Sequence, residues 1–182
     1  MNQEELRGVL RLHQLWLDGE DGGVRADLSQ ANLDGAELEN ADLRHAILFD
    51  TTLRGANLHR AMLSYANMKR SRLDEANLND AILSFADLQD AIMTKAWLSG
   101  AIMYRTNLSF AKLEGSCLSE AKLERSCLND ADLSNVYLHS ANMTGVTMRG
   151  TLFNGAVLHG AILRKANLTA ADLTGADLRG VS

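Results

Sequence analysis

The chain of 182 residues contains no proline, two cysteines and only 5% aromatic residues. Absence of proline together with a hydrophobic share of 46% excludes a disordered tail and suits one compact or elongated domain. Two cysteines are too few for a disulfide scaffold, so a reducing cytoplasm is the expected compartment. No apolar run approaches the roughly 18 residues that span a bilayer, and the N-terminus lacks a basic start followed by an apolar stretch. Neither a membrane span nor a secretory leader is expected. Charge is short on the positive side: 18 Lys and Arg against 23 Asp and Glu leave −5, and the pI is near 5.5. That balance argues against direct nucleic-acid binding through phosphate contacts.

What is present is a period of five. From Leu28 to Leu178 every fifth residue is large and apolar: 25 Leu, five Met (Met68, Met93, Met103, Met143, Met148) and Phe153, 31 positions without exception. In a chain that is 46% hydrophobic, chance gives such a run with a probability on the order of 10⁻¹⁰. Two residues before each of these, starting at Ala26, 23 of 31 positions are Ala. The other eight (Thr51, Ser71, Thr106, Ser116, Ser126, Val136, Val146, Thr151) are small or β-branched, as a site of restricted volume requires. The residue between the two is Asp or Asn in 13 of 31 units.

Five matches neither the 3.6-residue period of a helix nor the 2-residue period of a strand. A coil that turns about a right angle per unit keeps both apolar positions inside, and four units close it in roughly 20 residues. The A-(D/N)-L-x-x units resemble the pentapeptide-repeat family over residues 26 to 180. The resemblance implies an all-β solenoid, a right-handed quadrilateral β-helix of about eight coils, with the other three positions of each unit outside. Residues 20 apart should then stack about 4.8 Å apart in a rod roughly 37 Å long. Outward charges alternate in sign at that spacing: Asp34, Arg54, Asp74; Asp50, Arg70, Asp90; and the pairs Arg60 and Asp80, Glu75 and Lys95, Lys112 and Asp132. Arg105 above Arg125 is an exception.

Residues 1–25 read as a capping helix and a Gly-rich link, and residues 26–182 as the β-helix. Leu6, Val9, Leu10, His13, Trp16 and Leu17 form one helical stripe, Asn2 and Glu5 are spaced as a capping box, and Asp18-Gly19 stops the helix. This helix is expected to lie over the first coil and shield its edge. No matching device follows Leu178, which would let a second copy join end to end through the C-terminal coil.

No constellation of catalytic, cofactor-binding or metal-ligating residues is expected. His139 and His159 stack 20 apart, but His59 lies four coils from His139 and no third ligand is near. Cys117 and Cys127 are half a coil apart and should occupy opposite faces as small packing residues, out of disulfide reach. A rod filled with Leu and Ala has no interior cavity for catalysis. The informative departure is apolar: Met62, Ile82 and Ile102 replace the usual Asp or Asn in one column, with Tyr65, Phe85 and Tyr104 expected on the same face, and Ile92 and Trp97 on the two preceding faces. Met62, Tyr65, Ile82, Phe85, Ile102 and Tyr104 are the candidate partner-binding face of a non-enzymatic scaffold. The resemblance implies an alternative, since some pentapeptide-repeat proteins imitate duplex DNA and bind DNA gyrase or topoisomerase IV, protecting it from quinolones. Against that, this chain lacks projecting loops and a C-terminal dimerising helix. Its charges also fall in bands: six acids and one base in residues 26–53, five bases and no acid in 54–73, five acids and no base in 74–90.

Overall fold

The computed structural model describes residues 1–182. From Asp27 onward each unit contributes one parallel bridge, and every bridge joins residue i to residue i+20, as in Met62 to Ile82 to Ile102. A coil is therefore 20 residues, and the bridges fall into four columns, beginning at Asp27, Asn32, Glu37 and Asp42. These columns define the first to fourth faces of the solenoid. Cys127 is on the first face and Cys117 on the third, and both thiols are free.

The coil is closed by its turns. In each unit the residue two past the large apolar one has a positive φ, from Gln30 (59°) to Gly180 (70°), and the next amide bonds back across the turn, as Ala66 N–H does to the Leu63 carbonyl at 3.0 Å. Most of these left-handed residues are not glycine, Tyr65 (61°) and Phe85 (63°) among them. A β-carbon there costs about 1 kcal/mol, which bonds between coils offset: the Tyr65 amide donates to Ser84 O at 3.1 Å and the Leu63 amide to Ile82 O at 2.7 Å.

The Asp and Asn preference has a direct cause. At all 13 positions (27, 32, 42, 57, 67, 77, 87, 107, 132, 142, 167, 172 and 177) the side-chain oxygen accepts the amide N–H two residues later, at 2.9 to 3.3 Å. These are Asx turns, which fold the chain locally at each corner.

Inside, the large and small apolar residues form one continuous buried core from Leu6 to Ala161. Each fully buried Leu contributes roughly 1.5–3 kcal/mol of transfer free energy. Where Thr or Ser replaces the inward Ala, the hydroxyl donates to a carbonyl: Thr51, Thr106 and Thr151 to Leu28, Leu83 and Leu128, and Ser71, Ser116 and Ser126 to Met68, Leu113 and Leu123. No buried hydroxyl in these positions is left unbonded, which removes the penalty such groups otherwise carry.

Helix α1 (Gln3–Leu17) begins with a capping box: Asn2 Oδ1 accepts from Glu5 N–H and Glu5 Oε2 from Asn2 N–H, each at 2.8 Å. Leu6 and His13 are fully buried, and Val9 and Leu10 rest on the core. Trp16 departs from the buried stripe expected, being 38% exposed and stacked on His13 with centroids 5.5 Å apart. His13 Nδ1 accepts the Ala26 amide at 3.1 Å, joining the helix to the first repeat, and its Nε2 is buried without a partner. Burial pushes the imidazole below its usual pKa, against the pull of the Arg44 backbone and of Asp42, with Arg25 and His45 adding to the lowering.

The opposite end is barer. Leu163, Leu168 and Leu173 are only partly buried and Leu178 is exposed, and the amides of Leu168, Leu173 and Leu178 have no backbone acceptor, unlike their counterparts in earlier coils.

The charge columns form only in part. Arg54 pairs with Asp74 (3.7 Å) and donates its backbone amide to Asp34 Oδ1 (2.9 Å), and Arg70 pairs with Asp50 (3.9 Å). Arg60 and Asp80, Glu75 and Lys95, and Lys112 and Asp132 make no ion pair. The long chains of Arg60, Lys95 and Lys112 extend into solvent, where the entropy of holding them in place cancels the weak attraction, and Asp132 accepts the Ser134 amide instead. Diagonal or within-unit partners take over elsewhere, as in Lys69 with Asp87 at 3.0 Å and Arg44 with Asp42 at 2.6 Å.

Candidate functional site

Met62, Ile82 and Ile102 follow one another on the fourth face, bridged in register and half-buried. Because none has a side-chain acceptor, these three units forgo the Asx bond made by each Asp or Asn unit. The run is bounded by Asp42, clamped by Arg44, on one side and Lys122 on the other.

Tyr65 and Phe85 are not on the flat of that face. They occupy its far corner, since the fifth residue of a unit is the left-handed turn residue and projects from the bend. There they extend a ladder of rings. His45 stacks on Tyr65 (4.9 Å, 5° between planes), Tyr65 on Phe85 (4.8 Å, 1°), and Phe85 meets Tyr104 edge-on (5.5 Å, 79°). Trp16 of α1 meets His45 at 6.2 Å, so the ladder runs unbroken from the helix into the repeats. The rings follow the coil spacing, which sets aromatic contacts worth about 0.5–1.5 kcal/mol each. Arg105 lies over Phe85 and Tyr104 (6.0 and 5.4 Å), and Arg125 donates to the Tyr104 hydroxyl at 3.3 Å. Tyr65 is 51% and Phe85 37% exposed. The site is thus an apolar strip of three aliphatic side chains edged by an aromatic ladder and two guanidinium groups. Ile92 is on the second face and Trp97 on the third.

On the third face Trp97, expected there, is 54% exposed, and two features were not anticipated from sequence: Tyr137, 52% exposed in the same column, and Cys117 between them. Cys117 is more than a packing residue. Its sulfur meets Ser99 Oγ at 3.2 Å and donates to Ser119 Oγ at 3.5 Å. Burial alone would raise the thiol pKa, but the hydrogen bonds from Ser99 and Ser119 outweigh it and leave the group below its usual value. Cys127 is placed likewise against Ser109 at 3.1 Å. The signal is present in the sequence as Trp97, Cys117 and Tyr137 spaced twenty apart. His139 and His159 stack on neighbouring coils at 5.3 Å, while His59 bonds Asn79 O at 2.9 Å. No helix is long and apolar enough to cross a membrane.

A four-faced parallel solenoid of 20-residue coils with an N-terminal helix defines the class. Pentapeptide repeats match in eight copies between residues 24 and 180. The chain belongs to the pentapeptide-repeat family. Among solved structures it is similar to HetL, a pentapeptide repeat protein involved in heterocyst differentiation regulation from the cyanobacterium Nostoc sp. strain PCC 7120, at 30% identity over 100% of this chain and 94% of that one, with a TM-score of 0.30. It is also similar to full-length QnrB1, a plasmid-mediated fluoroquinolone resistance protein, at 18% identity over 87% of this chain and 91% of that one, with a TM-score of 0.53. No curated protein matches the chain significantly.

Proposed function

We propose that this protein is a non-catalytic scaffold that docks one protein partner through Met62, Tyr65, Ile82, Phe85, Ile102 and Tyr104. The carrying observation is the exchange on the fourth face: three successive units give up a turn-bonding Asp or Asn for large aliphatic side chains, beside rings left a third to a half exposed. Exposed aromatic and Arg groups around an apolar strip are the composition of interface centres. The reading takes residues 1–25 as the cap and 26–182 as a right-handed coil of about eight turns, working in the cytoplasm. It includes a second copy at the last coil, where the amides of Leu168, Leu173 and Leu178 lack acceptors. The test is recovery of a bound protein by wild type and by Tyr65→Ser/Phe85→Ser, with folding checked by circular dichroism. Loss of one discrete partner from a folded variant is expected, and equal recovery would refute the reading.

A second reading, a topoisomerase-directed DNA mimic, draws on the fold shared with QnrB1. The alternating charge bands oppose it, because a duplex presents phosphates of one sign every few ångströms. Gyrase supercoiling, titrated with the protein with and without a fluoroquinolone, decides it: inhibition or rescue near stoichiometry supports the mimic, and no effect at large excess removes it.

A further inference from the structure

The third face carries a ladder with a rung missing. In the corner ladder, rings one coil apart stack with centroids 4.8 to 4.9 Å from each other. On the third face Trp97 and Tyr137 are two coils apart, about 9.6 Å at the usual strand spacing, and the residue between them is the short Cys117. The result is an open groove of about 440 Å³ lined by Lys95, Trp97, Gly115, Cys117, Asn135 and Tyr137. Its flank is open because Gly115 has no side chain, and the stem of Lys95 lies across that position, with Cγ 3.6 Å from where a β-carbon would stand. No carboxylate lines the groove, and Lys95 makes no ion pair although Glu75 precedes it by one coil.

We infer that this groove binds an aromatic side chain of a protein partner, flanked in that partner by a carboxylate. The ring enters between Trp97 and Tyr137, one coil spacing from each, and supplies the rung that this column lacks. An aliphatic side chain would fill part of the space but could not stack on two faces at once. Beneath the ring is the Cys117 sulfur, held by Ser99 and Ser119, a polarizable floor suited to an aromatic edge. Lys95 selects the flanking acid, there being no competing acidic group in the lining. The groove shares no residue with the strip of Met62, Ile82 and Ile102, so either assignment stands or falls alone.

The chain has two tryptophans, Trp16 and Trp97, so its indole N–H signals in a ¹H–¹⁵N spectrum provide one reporter in the groove and one control on α1. The probes are acetyl-Asp-Phe-Asp-amide, acetyl-Asp-Leu-Asp-amide and acetyl-Lys-Phe-Lys-amide, with adenosine monophosphate as a non-protein ring. The Asp-Phe-Asp probe is expected to move the Trp97 signal saturably at about 1–10 mM and to leave Trp16 unmoved. The Leu and Lys-flanked probes should bind about three- to tenfold more weakly. Cys117→Phe, which fills the gap from within, should abolish the response, and Cys117→Ser should keep it. Tyr137→Ser removes one wall without adding volume and should weaken binding at least threefold even if Cys117→Phe fails to fold. No shift with the Phe probe, an equal shift with the Leu probe, a retained response in Tyr137→Ser, or binding of adenosine monophosphate alone would overturn the inference.

Discussion

The first and fourth faces cross the same coils with similar inward residues, Thr106 and the placing of one Met apart, and differ chiefly in their outward ones. On the first, Asn67, Asp87 and Asn107 each bond the turn that follows, and Asn107 Nδ2 reaches Asp87 Oδ1 at 3.0 Å. On the fourth, Met62, Ile82 and Ile102 bond nothing, yet the bridges, the turn φ values and the buried Leu and Ala layers are unchanged. The fold therefore does not depend on the Asx bond in every unit. Inward residues and backbone bonds between coils hold the solenoid, which leaves the outward position free to serve a surface.

The largest expected effect separates surface from scaffold: Tyr65→Ser/Phe85→Ser should weaken partner binding at least tenfold, a loss typical of central aromatic contacts. Its thermal midpoint should fall by only a few degrees as the stacking contacts go, measured by circular dichroism beside the binding isotherm. Next, Asp87→Ala should cost about 1–2 kcal/mol, because it removes the acceptor for the Gln89 amide and Asn107 Nδ2 and the ion pair with Lys69. Chemical denaturation would register that cost. Ile82→Asn makes the fourth face resemble the first. It restores an acceptor for the Ser84 amide, so its stability should stay within about 0.5 kcal/mol of wild type while partner binding falls, and a large loss of stability would place the aliphatic strip among the structural residues.

Acid sharpens the contrast further, since the three fourth-face aliphatics have nothing to protonate. Asp172 and Asp177 are held at about 2, the first by Thr174 and Asn154, the second by Arg179. Their folded pKa values lie below the ordinary carboxylate value, so their contribution is complete above about pH 4 and is lost as pH falls through about 2. Amide exchange in the last coil should rise over that interval before it rises around Met62. The smallest effect concerns α1. With its pKa lowered by burial, His13 holds a proton less tightly when folded than in the unfolded chain, whose imidazole titrates near 6.5. Cap stability should thus be complete above pH 6.5 and decline as pH falls below it. His13→Phe, which removes the titrating group, should flatten that dependence of α1 exchange.

Most of the architecture was legible in the sequence because a strict period of five leaves no freedom in phase: once Leu28 and Leu33 are inside, every later residue is assigned a face. The capping box of Asn2 and Glu5 was equally legible, being a local bond of fixed spacing. What escaped were matters of side-chain reach. Whether Arg60 meets Asp80 depends on rotamers in solvent, not on register. Tyr65 and Phe85 lie at the corner and not on the flat of the face because the fifth residue is left-handed, a property that ten of the chain's 14 glycines mark by occupying that position but that an aromatic residue there conceals. Trp16 has the spacing of the helical stripe but is 38% exposed, stacked on His13 and edge-on to His45, a placement that spacing alone does not give. The Cys117 groove depends on the absence of a ring between two others, which shows only when the third column is read as a unit.

The most direct test of the docking face is photo-crosslinking in cells of the source organism, with benzoylphenylalanine placed at position 65 and, as a control, at position 90 on another corner. A single protein adduct at position 65, missing at position 90 and lost when Ile82→Asn is added, is the predicted result. Identical adducts at both positions, or an adduct at 65 that survives Ile82→Asn, would contradict the assignment of this face as the docking surface.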